Sequence, residues 1–116
     1  MEKNNIIFMG TPDFAVESLK ILIKSNYNIL GVVTATDKKR GRGKKISFSP
    51  IKNFAIKNNI PVHQPKNLKS EEFINLMKKI KPDLFVVVAF RMLPEIIINI
   101  PQYGSINLHA SLLPNY

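Results

Sequence analysis

Cysteine and tryptophan are both missing from this chain of 116 residues, and histidine occurs only twice. Without cysteine there is neither a disulfide framework nor a thiolate metal site, and two histidines with no carboxylates spaced around them do not make a metal centre. No apolar run approaches the roughly 20 residues of a membrane span. Ile6 to Met9 is too short for a signal-peptide core and runs straight into Gly10-Thr11-Pro12-Asp13. These absences make a soluble, cytoplasmic protein with no metal and no membrane partner the expectation. A hydrophobic share of 45% in 116 residues suffices for one α/β domain with a real core and not for two.

Acidic residues are also scarce, 8 against 17 basic ones, for a net charge of +9. An excess of Lys over Arg alongside abundant Ile and Asn suits nucleotide bias as well as function, so location decides. Between Asp37 and Lys45 stand six basic residues and one acid, and two of the three arginines, Arg40 and Arg42, lie there.

Along the chain, short apolar runs alternate with helical periodicity. Ile6-Ile7-Phe8-Met9 has the continuous apolar character of a parallel strand covered on both faces. Gly10 ends it, Thr11 is placed to cap a helix with Pro12 at its first position, and Ala15, Leu19, Leu22 and Ile23 supply that helix's apolar face. Ile29 to Val33 then completes a βαβ unit. From Thr34 to Ser47 periodicity disappears, which predicts an exposed mobile loop, long enough to be a functional suspect.

Ser49-Pro50 starts a second helix to about Asn58, and Pro61-Val62-His63 is a short third strand in which His63 is structural. Ser70 caps a third helix with Glu71 and Glu72 complementing its dipole and Phe73, Leu76, Met77 and Ile80 along its core side. Leu84 to Ala89 is the longest strand and the expected sheet centre. Pro94 begins a short helix, and Gly104 to His109 is the fifth strand. The fold class expected is α/β, a Rossmann-like doubly wound parallel sheet that breaks off after its fifth strand, with ligands beyond the carboxyl ends of the strands. That edge gathers Gly10 to Pro12, Phe90 to Leu93 and Asn107 to Ser111.

Within the last strand, Asn107 and His109 are two apart and share a face, with Cα atoms roughly 6.5 Å apart. Singly, each suits a structural role, His at a strand end and Asn beside a turn. Together on one face they offer a hydrogen-bond donor and a proton carrier to one small polar group. Dinucleotide binding is not supported, because Gly10-Thr11-Pro12-Asp13-Phe14-Ala15 lacks the second and third glycines of the fingerprint. A P-loop is rejected too: the upstream glycine it needs is Lys38, and Lys45 stands in the Ser/Thr place.

Four stretches are similar to one known family. Met9 to Ala15, Gly41-Arg42-Gly43-Lys44-Lys45 with Ser49-Pro50, Val88 to Pro94, and Asn107-Leu108-His109-Ala110-Ser111-Leu112-Leu113-Pro114 resemble the methionyl-tRNA formyltransferases, within the broader 10-formyltetrahydrofolate-dependent group. The resemblance runs through the whole chain. It implies formyl transfer from 10-formyltetrahydrofolate to methionyl-initiator tRNA by a monomer, with Asn107 and His109 catalytic. It also implies a folate pocket lined by Phe90, Arg91, Met92, Leu93, Ser111, Leu112, Leu113 and Pro114. The basic loop, through Lys39, Arg40, Arg42, Lys44 and Lys45, would neutralise tRNA phosphates. The family's catalytic aspartate and its tRNA-binding C-terminal domain lie past the Ser-Leu-Leu-Pro element, so residues 1–116 are expected to be an incomplete N-terminal catalytic domain, marginally stable and feebly active alone. Two other readings stay open: a folate-dependent formyltransferase acting on a nucleotide or amino sugar, and a non-catalytic RNA-binding fragment.

Overall fold

Ile6, Ile7, Phe8 and Met9 are completely buried, as a strand sandwiched between two helical layers must be. In the computed structural model, which describes residues 4–11, 13–40 and 45–108, they form β1 (Asn5–Gly10). The order continues α1 (Ala15–Lys24), β2 (Asn28–Val33), β3 (Lys38–Arg40), β4 (Lys45–Ser47), α2 (Pro50–Lys57), β5 (Val62–His63), α3 (Glu71–Ile80), β6 (Leu84–Val88), α4 (Glu95–Ile98) and β7 (Ser105–Leu108). Five strands make one parallel sheet in the order β5-β2-β1-β6-β7.

Alternate residues of these strands point to opposite faces, and each face has its own core. Ile6, Phe8, Val32, Val86 and Val88 pack with Ala15 and Leu19 of α1 and Ile51 and Ala55 of α2. Ile7, Met9, Val33, Phe85 and Val87 pack with Phe73 and Met77 of α3 and Ile97 of α4. The sheet is therefore doubly wound, as its alternating elements require.

Caps fixed two helix starts as the sequence implies: the Ser49 hydroxyl accepts from the Lys52 N–H at 3.3 Å, and the Ser70 hydroxyl from the Phe73 N–H at 3.2 Å. Four expectations are corrected. Thr11 does not cap α1, which begins at Ala15 behind Phe14 with no side-chain cap. Ile23 is 38% exposed, and Val16 joins the core face of α1 instead, because the helix is rotated so that the stripe on the sheet is centred on Ala15, Leu19 and Leu22. The centre of the five-stranded sheet is β1, not β6, since β2 and β6 pair to its two sides. The segment 38–47, read as an aperiodic loop, contains an antiparallel pair in which Lys38, Lys39 and Arg40 face Ser47, Ile46 and Lys45.

Candidate active site

Strand register places the ends of the chain's apolar runs side by side. His63 pairs with Val33, Val33 with Met9, Met9 with Val87, and Val87 with Asn107, so one transverse row crosses the whole sheet just inside its carboxyl edge. Met9, Val33 and Val87 belong to the core on the α3/α4 face, so Asn107 shares that side. Unlike them it is exposed, β7 being the outer strand of the sheet among the described residues. His109, Ser111, Leu112, Leu113 and Pro114 lie outside the described residues, as do Pro12, Arg42 and Lys44; the side chains of Lys39, Arg40 and Lys45 do also.

At the middle of the edge, Gly10 lets α1 approach β1 closely. A Cβ there would stand 3.0 Å from the Val88 carbonyl oxygen and 3.1 Å from Ala15 Cβ. Thr11 latches this turn to the end of β2: its Oγ1 accepts from the Ala35 N–H at 3.1 Å and lies 3.2 Å from the hydroxyl of Thr34, which is fully buried.

Beyond β6 the backbone turns through Ala89 at φ 46°, a left-handed conformation that non-glycine residues adopt at a cost. That turn delivers Phe90 to Leu93. The Arg91 guanidinium donates to the Pro65 and Lys66 carbonyls at 2.8 and 3.1 Å and lies 4.9 Å from the Phe90 ring centroid, so it ties this segment to the one after β5. With Ala35, Thr36, Pro65 and Lys66 it lines a cleft of about 260 Å³. Met92 is 93% exposed, whereas Leu93 is buried in the α3/α4 core, which leaves only its main chain for a ligand.

The basic segment leaves the same edge. Lys52 of α2 reaches Asp37 Oδ2 at 2.7 Å and Gln64 Oε1 at 2.9 Å, and Gln64 Nε2 donates to Asp37 Oδ1 at 2.9 Å and to the Ala35 carbonyl at 3.0 Å. Hydrogen bonds from Lys52 and then from Gln64 hold the Asp37 carboxyl below its ordinary value. On the other side of β5, His63 borders a cleft of about 510 Å³ with Gln64, Ser70, Glu72 and Phe73, and partial burial holds its imidazole below its usual pKa. Among the described residues no group of three or more His, Asp or Glu stands close enough to hold a metal ion, and no helix is long and apolar enough to cross a membrane.

Residues 3–116 match the formyl transferase family model. The chain belongs to the formyl transferase family. It is 54% identical to the methionyl-tRNA formyltransferase of Bacteroides fragilis over 115 residues, 99% of this chain and 36% of the relative. The methionyl-tRNA formyltransferases of Flavobacterium johnsoniae, 54% identical over 116 residues (100% of this chain, 37% of the relative), and Clostridioides difficile, 56% over 112 residues (96% and 36%), are similar. The chain thus spans little more than a third of the length of these relatives.

This formyl transferase sheet brings Gly10, Thr11, Phe90 to Leu93 and Asn107 to one edge, the described part of the grouping expected from strand order. Thr34, Ala35, Asp37, Gln64 and Lys66 stand on that edge too and were not singled out. The signal for them was present: each lies within four residues of the end of β2 or of the short β5, where the carboxyl-end rule points. Lys52 carries no such mark, because a lysine in the first turn of a helix reads as solvated.

Proposed function

We propose that residues 1–116 form the N-terminal part of a catalytic domain that moves a formyl group from 10-formyltetrahydrofolate to the α-amino group of methionyl-initiator tRNA, acting as a cytoplasmic monomer. The observation that carries this reading is the activity named for relatives more than half identical over nearly the whole chain. The folate supplies a formyl group on a nitrogen that can leave. Exposed Met92 and half-buried Phe90 suit such a ligand, since they present apolar surface at the strand-end edge where a flat ring can be covered. Phe90, Arg91, Met92 and the Leu93 main chain would hold it with Ser111, Leu112, Leu113 and Pro114.

As the amine adds to the formyl carbon, negative charge gathers on the formyl oxygen. The Asn107 amide, exposed at the edge, would donate an N–H to that oxygen. His109 takes the proton the amine sheds and returns one to the departing nitrogen, a task suited to an imidazole near neutral pH. Lys39, Arg40, Arg42, Lys44 and Lys45 neutralise acceptor-end phosphates. The further length of the relatives would add an aspartate to orient His109 and a second domain, which binds tRNA.

A chimera joining residues 1–116 to the remaining length of the Bacteroides fragilis relative tests the reading. It should transfer labelled formyl from 10-formyltetrahydrofolate to methionyl-initiator tRNA and not to glycinamide ribonucleotide. A folded chimera that formylates the nucleotide alone, or neither, would remove it.

A further inference from the structure

The ribbon of β3 and β4 is poorly built to stand alone. It has three cross-strand pairs among the described residues, too short a ladder for a two-stranded ribbon to hold by itself. Yet both of its stems are gripped by one side chain from another element. The Lys52 ammonium bonds Asp37, the residue before β3, at 2.7 Å and stands 3.8 Å from the ring centroid of Phe48, the residue after β4. Gln64, past the end of β5, closes the circuit to Asp37 and to the Ala35 carbonyl. The side chains of Lys52 and Asp37 are only 13% and 25% exposed, so this ion pair is partly removed from solvent.

We propose that Lys52 is a positioning residue for nucleic-acid binding: held by Asp37, Gln64 and Phe48, its ammonium fixes the direction in which the basic ribbon leaves the carboxyl edge and contacts no tRNA phosphate itself. The proposal rests on the reading of that ribbon as a tRNA contact. Pinning both stems lowers the entropy that a charged ribbon must lose on binding a polyanion.

The roles of Asp37 separate this from simple charge attraction. If Lys52 met a phosphate, removing the nearby acid would tighten binding to a polyanion or leave it unchanged. If Lys52 positions the ribbon through Asp37, removing the acid weakens binding although the net charge becomes more positive. The measurements are filter binding of methionyl-initiator tRNA across a salt series, folate binding, and amide exchange in residues 38–40 and 45–47, made on the chimera that carries residues 1–116 with the remaining length of the Bacteroides fragilis relative. Asp37→Asn and Lys52→Met should each weaken tRNA binding by about tenfold, the worth of a hydrogen bond between charged groups. Both should speed ribbon amide exchange and leave folate binding alone; the double variant should be no worse than the weaker single one, and Lys52→Arg should recover much of the loss. Tighter or unchanged tRNA binding by Asp37→Asn, or unchanged ribbon exchange, overturns the positioning role while the tRNA reading stands. A chimera with wild-type residues 1–116 that shows no salt-dependent tRNA binding overturns both.

Discussion

His63 and Asn107 occupy the two ends of one row of residues across the sheet, joined by Val33, Met9 and Val87 and separated by four strand spacings, about 19 Å. The row is apolar where helices cover both faces and polar where the sheet runs out. On the His63 side the imidazole is packed over the backbone: a Cβ on Gly31 would lie 3.2 Å from its Nε2. On the other side Asn107 is open to solvent. One position is therefore read out by stability and the other by activity.

Asn107→Ala in the formylating chimera should lower kcat by about 10²–10³, the range for loss of one donor to a developing oxyanion. Because Asn107 is exposed in the 116-residue chain, the same substitution made there should change stability by no more than about 0.5 kcal/mol. Asn107→Asp should be at least as damaging, since a carboxylate repels the charge that an amide stabilises. Steady-state kinetics beside thermal melts separate the two effects, and a matched fall in activity and melting temperature would reassign Asn107 to folding.

Burial keeps the folded-state pKa of His63 below the ordinary 6.5. Just under that value the unfolded chain binds a proton that the folded chain refuses. The contribution of neutral His63 to stability is thus complete above about pH 6.5 and is lost as the pH falls toward and through the lowered folded value. Urea midpoints at pH 7.5 and 5.5 should fall further for the wild type than for His63→Gln. Equal losses would place the acid sensitivity elsewhere.

Gly10→Ala should destabilise the fold by about 1–3 kcal/mol, the usual cost of forcing a methyl into a packed site. Two of its nearest neighbours are the Val88 carbonyl oxygen and Ala15 Cβ, and neither is the far end of a flexible side chain that can swing away. A urea titration reads the cost directly, and a neutral result would show that α1 can slide on β1.

What the sequence made legible was whatever a local rule decides. Ser49 and Ser70 cap the helices they were expected to cap, because a hydroxyl two or three residues ahead of free N–H groups needs no tertiary help. The buried runs of β1 and β6 announced themselves by unbroken apolar character. Thr11 misled for the opposite reason: its cap pattern with Pro12 was sound locally, but Ala35 and Thr34 lie across the edge and claim its hydroxyl. The ribbon of β3 and β4 was hidden because its pattern is charge rather than alternation, and its clamp joins Asp37, Phe48, Lys52 and Gln64 only in space. Leu93 shows the limit of carrying a motif over by residue type, since its position fits the resemblance while its side chain faces the core.

Lys81 and Ala89 both have left-handed backbones, one at a helix end and one beside the candidate site. Lys81 caps α3 at φ 55° with its N–H donating to the Met77 carbonyl, an arrangement in which glycine is preferred. Lys81→Gly should therefore stabilise the chain by about 0.5–1 kcal/mol, relief of strain outweighing the added freedom of the unfolded state. Ala89 has the same backbone sign at φ 46°, but it sits at the carboxyl end of β6 and aims Phe90 and Arg91. Ala89→Gly should match or approach the stability gain and yet raise KM for 10-formyltetrahydrofolate in the chimera, because the loop gains conformations that do not present Phe90 and Met92 together. Denaturation curves for both variants, set beside their folate KM values, check this directly. A stability gain in both with an unchanged KM in Ala89→Gly would mean that the turn is strained for packing alone and that the folate loop is aimed by the Arg91 bonds to Pro65 and Lys66.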